Sequence, residues 1–126
     1  MSLKTLDNKL KILAKSLDGE LTKDNTKGML MTNGFEDRIL RWNKNDLNYV
    51  INIYPEIKND NINKWVFGAS CWFDTDNSRF SKMTKIYDCR KQIKIIASFD
   101  NLANQALEFL NALTKDDLEK ILDFDN

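Results

Sequence analysis

An α+β fold is predicted for this 126-residue chain, and three observations predict it. Leucines recur at steps of three and four near the N-terminus, which is helical spacing. The middle third alternates apolar and polar residues with period two, which is strand spacing. The last quarter returns to helical spacing. Helix, then strands, then helices gives an N-terminal helix, an antiparallel meander sheet of four or five strands, and two C-terminal helices packed on one sheet face. The length and a composition of 42% hydrophobic and 30% charged residues suit one domain over 1–126.

Leu3, Leu6, Leu10, Leu13 and Leu17 make one apolar stripe, with Lys4, Lys9, Lys11 and Lys15 off it. Ser2 is placed to cap this helix, and Gly19 to end it in a left-handed turn. Residues 20–28 read as a polar loop, Met29 to Met31 as a short strand, and Asn33-Gly34 as a turn. Arg38 to Asn43 is the next strand, followed by a tight turn at Lys44-Asn45-Asp46. Leu47, Tyr49, Ile51 and Ile53 alternate with Asn48, Val50, Asn52 and Tyr54, and Pro55 is expected to end that strand. Asn59 to Asn63 reads as a loop. From Trp65 to Phe73 both faces are apolar, so this strand is expected to be central and at least partly covered on both sides. Asp74 to Ser78 is a turn, Phe80 to Tyr87 a Lys-rich strand, and Ile93 to Ala97 a last strand. A helix from Asp100 or Asn101 turns Leu102, Ala106, Phe109, Leu110 and Leu113 inward. Thr114 to Asp117 forms a capping-box-like start for a second, with Leu118, Ile121, Leu122 and Phe124 as its apolar side.

The chain contains no histidine, which removes Ser-His-Asp and Cys-His catalysis and His-containing zinc sites. Glu36-Asp37 and Asp116-Asp117 are adjacent carboxylates, and neighbours in sequence point apart, so neither is a natural acid/base pair. The four glycines are scattered at 19, 28, 34 and 68, without the clustering a phosphate cradle needs. Asp74-Thr75-Asp76-Asn77-Ser78 starts like a calcium loop, but Arg79 and Lys85 stand where that loop needs Gly and Glu. Cys71 and Cys89 read as reduced thiols in apolar surroundings. No cofactor or metal is expected, and the chain is read as not an enzyme.

Formal net charge is zero but unevenly spread. Residues 1–28 carry six lysines against four acids, residues 29–99 carry eleven basic against eight acidic residues, and residues 100–126 carry two against seven. Arg38, Arg41, Trp42, Trp72, Arg79, Phe80, Lys82 and Lys85 mix basic and aromatic groups, yet zero net charge and the lack of an RNA-binding signature argue against nucleic acid. There is neither a signal-peptide pattern nor an apolar run of membrane-spanning length, so a cytoplasmic protein with no membrane partner is expected. What stands out is the acidic C-terminus. Asp116, Asp117, Glu119 and Asp123 would suit an electropositive protein partner, and Trp42, Tyr54 and Trp72 would supply aromatic anchors wherever they are exposed.

The element order, the block Asn48-Tyr49-Val50-Ile51-Asn52-Ile53-Tyr54-Pro55, the aromatic strand Trp65 to Phe73 and the acidic tail together resemble the small immunity proteins of bacterial polymorphic-toxin and contact-dependent inhibition systems. The abundance of Asn, Lys and Ile agrees with a bacterial source. The resemblance implies a non-enzymatic cytoplasmic protein, monomer or homodimer, that binds one toxin domain and occludes its active site; a basic toxin domain would suit the acidic tail. The chain also resembles class I type III secretion chaperones, which bind an unfolded effector segment, although no helix is read between its third and fourth strands.

Overall fold

The computed structural model describes residues 3–24, 37–59 and 61–125, with side chains for all of these except 24 and 121–125. The order is α1 (Leu3–Ser16), β1 (Glu20–Asp24), β2 (Asp37–Lys44), β3 (Leu47–Lys58), β4 (Asn61–Asp74), β5 (Arg79–Cys89), α2 (Gln92–Ala97), α3 (Phe99–Asn111) and α4 (Lys115–Asp125). The strands form one antiparallel meander in the order β1-β2-β3-β4-β5. The expected α+β architecture is therefore observed, with all of the described helices against one face of the sheet. The residues expected to form a strand at Met29 to Met31 and a turn at Asn33-Gly34 lie outside the described residues, as does Ser2. No helix among the described residues is long and apolar enough to cross a membrane.

One face of every strand builds the core. Leu40, Ile51 and Ala69 stand in one cross-strand row; Arg38, Ile53, Phe67 and Tyr87 stand in another. Leu6, Leu10 and Ala14 of α1 and Leu102, Ala106 and Leu110 of α3 close over them. Phe67 packs edge-on against Phe99 at 6.0 Å, and Phe73 stacks on Phe80 at 5.1 Å. Full burial of side chains of this size contributes about 1.5–3 kcal/mol each, which is what holds the helices to the sheet.

Several elements differ from the sequence reading. Ile93 to Ala97 is helical, not a strand. Ile95 and Ile96 are consecutive and both buried; with Phe99 they share one helical stripe, whereas a strand would send the two isoleucines to opposite faces. Residues 20–24 form an edge strand rather than a loop, paired Glu20↔Arg41 through Asp24↔Asp37. Its polar composition reflects that an edge strand buries little, here Leu21 and Thr22 in part among the described side chains. Pro55 does not end β3, which runs on to Lys58. Pro55 pairs with Trp65 of β4, and the last described β2 pair is Arg38↔Ile53, two residues before it. The expected loop at Asn59 to Asn63 is a tight connection, because β4 already begins at Asn61. At the end of α1 the left-handed residue is Asp18 (φ 52°), not Gly19. Gly19 serves another purpose: its N–H bonds the Ala14 carbonyl at 2.8 Å, and a Cβ there would stand 2.7 Å from the Arg41 carbonyl oxygen. Asn45 and Asp46 both take positive φ, making the two-residue hairpin of β2 and β3.

One ion cluster ties α1 to the sheet. Arg38, grouped above with the basic and aromatic residues, is buried on the core face, and its Nε and Nη2 donate to Asp7 Oδ1 and Oδ2 at 2.9 and 3.2 Å. Lys23 of β1 reaches the same carboxylate at 2.9 Å. Burial alone would raise the Asp7 pKa; hydrogen bonds from Arg38 and Lys23 outweigh it and hold the carboxyl below its ordinary 3.8. Removing one partner of a buried pair strands the other, so Asp7→Ala is expected to cost about 3 kcal/mol in urea unfolding. An Asp7→Leu/Arg38→Met double variant should recover most of that loss. The sign of the pH effect follows from the lowered folded pKa: the stabilisation is complete above 3.8 and is lost as the pH falls through the folded value. An Asp7→Asn variant should accordingly show a shallower loss of stability on acidification than the parent.

Candidate functional site

The opposite face of the sheet carries none of the described helices. Antiparallel pairing sets its rows: Arg41, Val50, Ser70 and Met83 in one; Ile39, Asn52, Gly68 and Lys85 in the next; Asn43, Asn48, Trp72 and Ser81 in a third. Val50, Val66 and Gly68 are buried in its floor, while Ser70, Trp72, Asn52 and Tyr54 are half-buried. The two-sided apolar character of β4 has this basis: it is an internal strand, helix-covered on one face and only partly buried on the other.

Gly68 makes a hollow in the middle of this face. A Cβ at that position would stand 2.7 Å from Asn52 Oδ1, so the Asn52 side chain lies across the bare backbone. The resulting cavity of about 270 Å³ is lined by Tyr54, Asn52, Ser70, Met83 and Lys85. A second, of about 240 Å³, lies beside it against Trp72, Arg79 and Ser81. Met83 stands between the two and borders both, with 77% of its surface exposed. The register shifts between Phe67 and Gly68, and this irregularity brings Lys85 opposite Gly68.

Charges around these hollows are satisfied within the chain. Lys85 Nζ is 3.3 Å from both Glu56 Oε2 and Asp88 Oδ2, and Lys64 reaches Asp88 at 3.6 Å. Arg79 grips Asp74 with two bonds of 2.7 and 3.1 Å and lies 5.6 Å from the centre of the Trp72 ring. The bond from Lys85 lowers the Glu56 pKa, and the bond from Arg79 lowers that of Asp74. Asp74 is thereby occupied, and Asp74 to Ser78 closes as a hairpin turn through Thr75 N–H to the Ser78 carbonyl at 2.8 Å. Burial pushes the Cys71 thiol up to about 11, the state of an inert core cysteine. The Cys89 thiol donates to the Lys91 carbonyl.

The candidate contact residues do not come together. Tyr54 and Trp72 share the open face. Trp42 is only 8% exposed and stacks on Tyr49 at 5.4 Å on the core side, so the condition on which it would serve as an anchor fails. Asp116, Asp117 and Glu119 sit at the start of α4, on the helix side of the sheet. Asp117 closes the expected capping box: its Oδ2 accepts from Thr114 N–H at 2.9 Å, its own N–H donates to Thr114 Oγ1, and the first of these bonds lowers its pKa. The side chain of Asp123 lies outside those described. The basic-aromatic set divides as well. Arg38, Trp42, Phe80 and Lys82 point to the helix side, where Lys82 lies over Phe109, while Arg41, Trp72, Arg79 and Lys85 occupy the open face. Sequence reasoning missed Met83 and the Gly68 hollow; a lone glycine inside an apolar strand was the available signal.

Comparison with known protein families, curated proteins and solved structures found no match.

The placement of the tryptophans is open to a direct check. Among the three, Trp72→Phe should remove more of the iodide- or acrylamide-quenchable fluorescence than Trp42→Phe, because Trp42 is enclosed by the core. Equal losses would contradict the assignment of Trp72 to an accessible face.

Proposed function

We propose that this chain is a non-enzymatic protein-binding module of the cytoplasm that acts as an immunity protein, seating one cognate toxin domain on its open sheet face and occluding that toxin's active site. The observation that carries the reading is the face itself: a neutral centre with Trp72, Tyr54 and an exposed Met83, ringed by charges already paired within the chain. Recognition surfaces have this arrangement, an aromatic and apolar centre inside a polar rim. The titratable groups with lowered pKa values on or beside the sheet fit the same reading, since Asp7, Glu56 and Asp74 each owe the shift to a structural cation.

The acidic start of α4 has a different part in this reading. Asp116 and Glu119 are exposed on the helix side, where they attract a basic partner without forming the anchor contacts. Anchors govern dissociation and outlying charges govern encounter.

Affinity capture with the tagged chain from its native host, at low and moderate salt, followed by co-expression of the captured protein, tests the proposal. One stoichiometric toxin domain whose toxicity is relieved by this chain is the expected result; a captured protein whose activity is unaffected by the chain would overturn it. With that toxin in hand, Trp72→Ala should weaken binding by about 2 kcal/mol, chiefly through faster dissociation. Asp116→Lys should slow association at low salt and leave the dissociation rate unchanged.

A further inference from the structure

The open face carries both halves of a knob-and-hole contact. Three large hydrophobic side chains are exposed among the described residues: Ile12 of α1, Ile93 of α2 and Met83 of β5. Only Met83 lies on the open face. Beside it is the hollow at Gly68, where the bare backbone leaves room that the Asn52 side chain fills only in part. Met83 is directly paired with Ser70, and Gly68 is two residues from Ser70 along β4. Strand spacing and rise put the knob and the hole about 8 Å apart. A two-fold axis midway between them passes beside Ser70 and carries each Met83 over the other copy's Gly68.

We propose that two copies of this chain pack open face to open face about such an axis, each inserting Met83 into the hollow over its partner's Gly68. Three further properties of the face support a second copy as the occupant. Two-fold symmetry sets every group against its own surroundings, so a face of one sign would repel itself; here Lys85, Glu56, Asp88, Arg79 and Asp74 are already neutralised in place. The extent is of the right order, since the whole face of five strands of this length measures about 800 Å², the area a standard stable interface buries per partner. Two sheets in contact also pack about 10 Å apart, leaving room for one layer of interdigitated side chains. The inference stands on the geometry of this face alone. A toxin seated on the same face would displace the second copy, so the dimer is the resting form of the binding surface.

Sedimentation velocity across micromolar to millimolar concentration reads the proposal directly, as a rise from the 14.7 kDa monomer mass to twice that value. Met83→Glu would replace the apolar knob with a hydrated carboxylate and should weaken the dimer about a hundredfold. At a concentration where both are monomeric its thermal unfolding should match the parent's, because Met83 is exposed in the single chain. Ile12→Glu, equally exposed but on α1, should dimerise as the parent does. In a Cys89→Ala background, Ser70→Cys should be cross-linked between chains by a bismaleimide spanning about 10 Å, and Asn104→Cys on α3 should not. A parent that stays monomeric throughout overturns the dimer and leaves the partner reading of the face intact. Dimerisation of Met83→Glu at parental strength, or its loss in Ile12→Glu, places the contact elsewhere and overturns it equally.

Discussion

All of the described helices lie against one face of the sheet, and the rest of the molecule follows from that one-sidedness. A meander of five strands presents two faces, and period-two alternation in β3 makes one of them continuously apolar: Leu47, Tyr49, Ile51 and Ile53. That face cannot remain in water, so α1, α2 and α3 are drawn onto it, with Phe67 and Phe99 meeting near its centre. Once the helices are committed there, the other face must do without them. Its residues are therefore a compromise, buried at Val50 and Val66 and half-exposed at Tyr54 and Trp72.

Charge obeys the same division. On the helix side, Arg38 sits where a hydrophobic residue would be expected, and the Asp7 carboxylate makes that burial tolerable by accepting two bonds from it. The pair fixes the position of α1 along the sheet, because the bidentate geometry admits little sliding. On the open side, the pairs are exposed and weak individually. Their effect is collective: Lys85, Lys64 and Arg79 are each offset by a neighbouring carboxylate, while Arg41 donates to Thr22. The acids of α4 lie on the helix layer, where Lys115 pins the helix start to Asp46 at 3.6 Å and lies over the Phe73 ring. A basic partner would feel those acids during approach and the sheet face on contact.

The α+β class, the N-terminal helix, the cores of β2 to β5 and the capping box at Thr114 were legible in the sequence by itself, because each is a local pattern: leucines at three and four, alternation at two, a hydroxyl three residues before a carboxylate. Only the tertiary structure decided the rest. Whether Ile95 and Ile96 belong to a strand or a helix depends on where the core lies, since a segment as short as Gln92 to Ala97 fits both periods. β1 is a strand only because β2 lies beside it, and β3 runs on through Pro55 because β4 pairs with it there. The same holds for the site. That Trp42 is enclosed while Trp72 is accessible, and that Arg38 faces inward while Arg41 faces outward, depends on strand register, which a sequence of alternating residues does not specify without knowing which face the helices take. The hollow at Gly68 exists only through the pairing of three strands around it, so no stretch of sequence contains it.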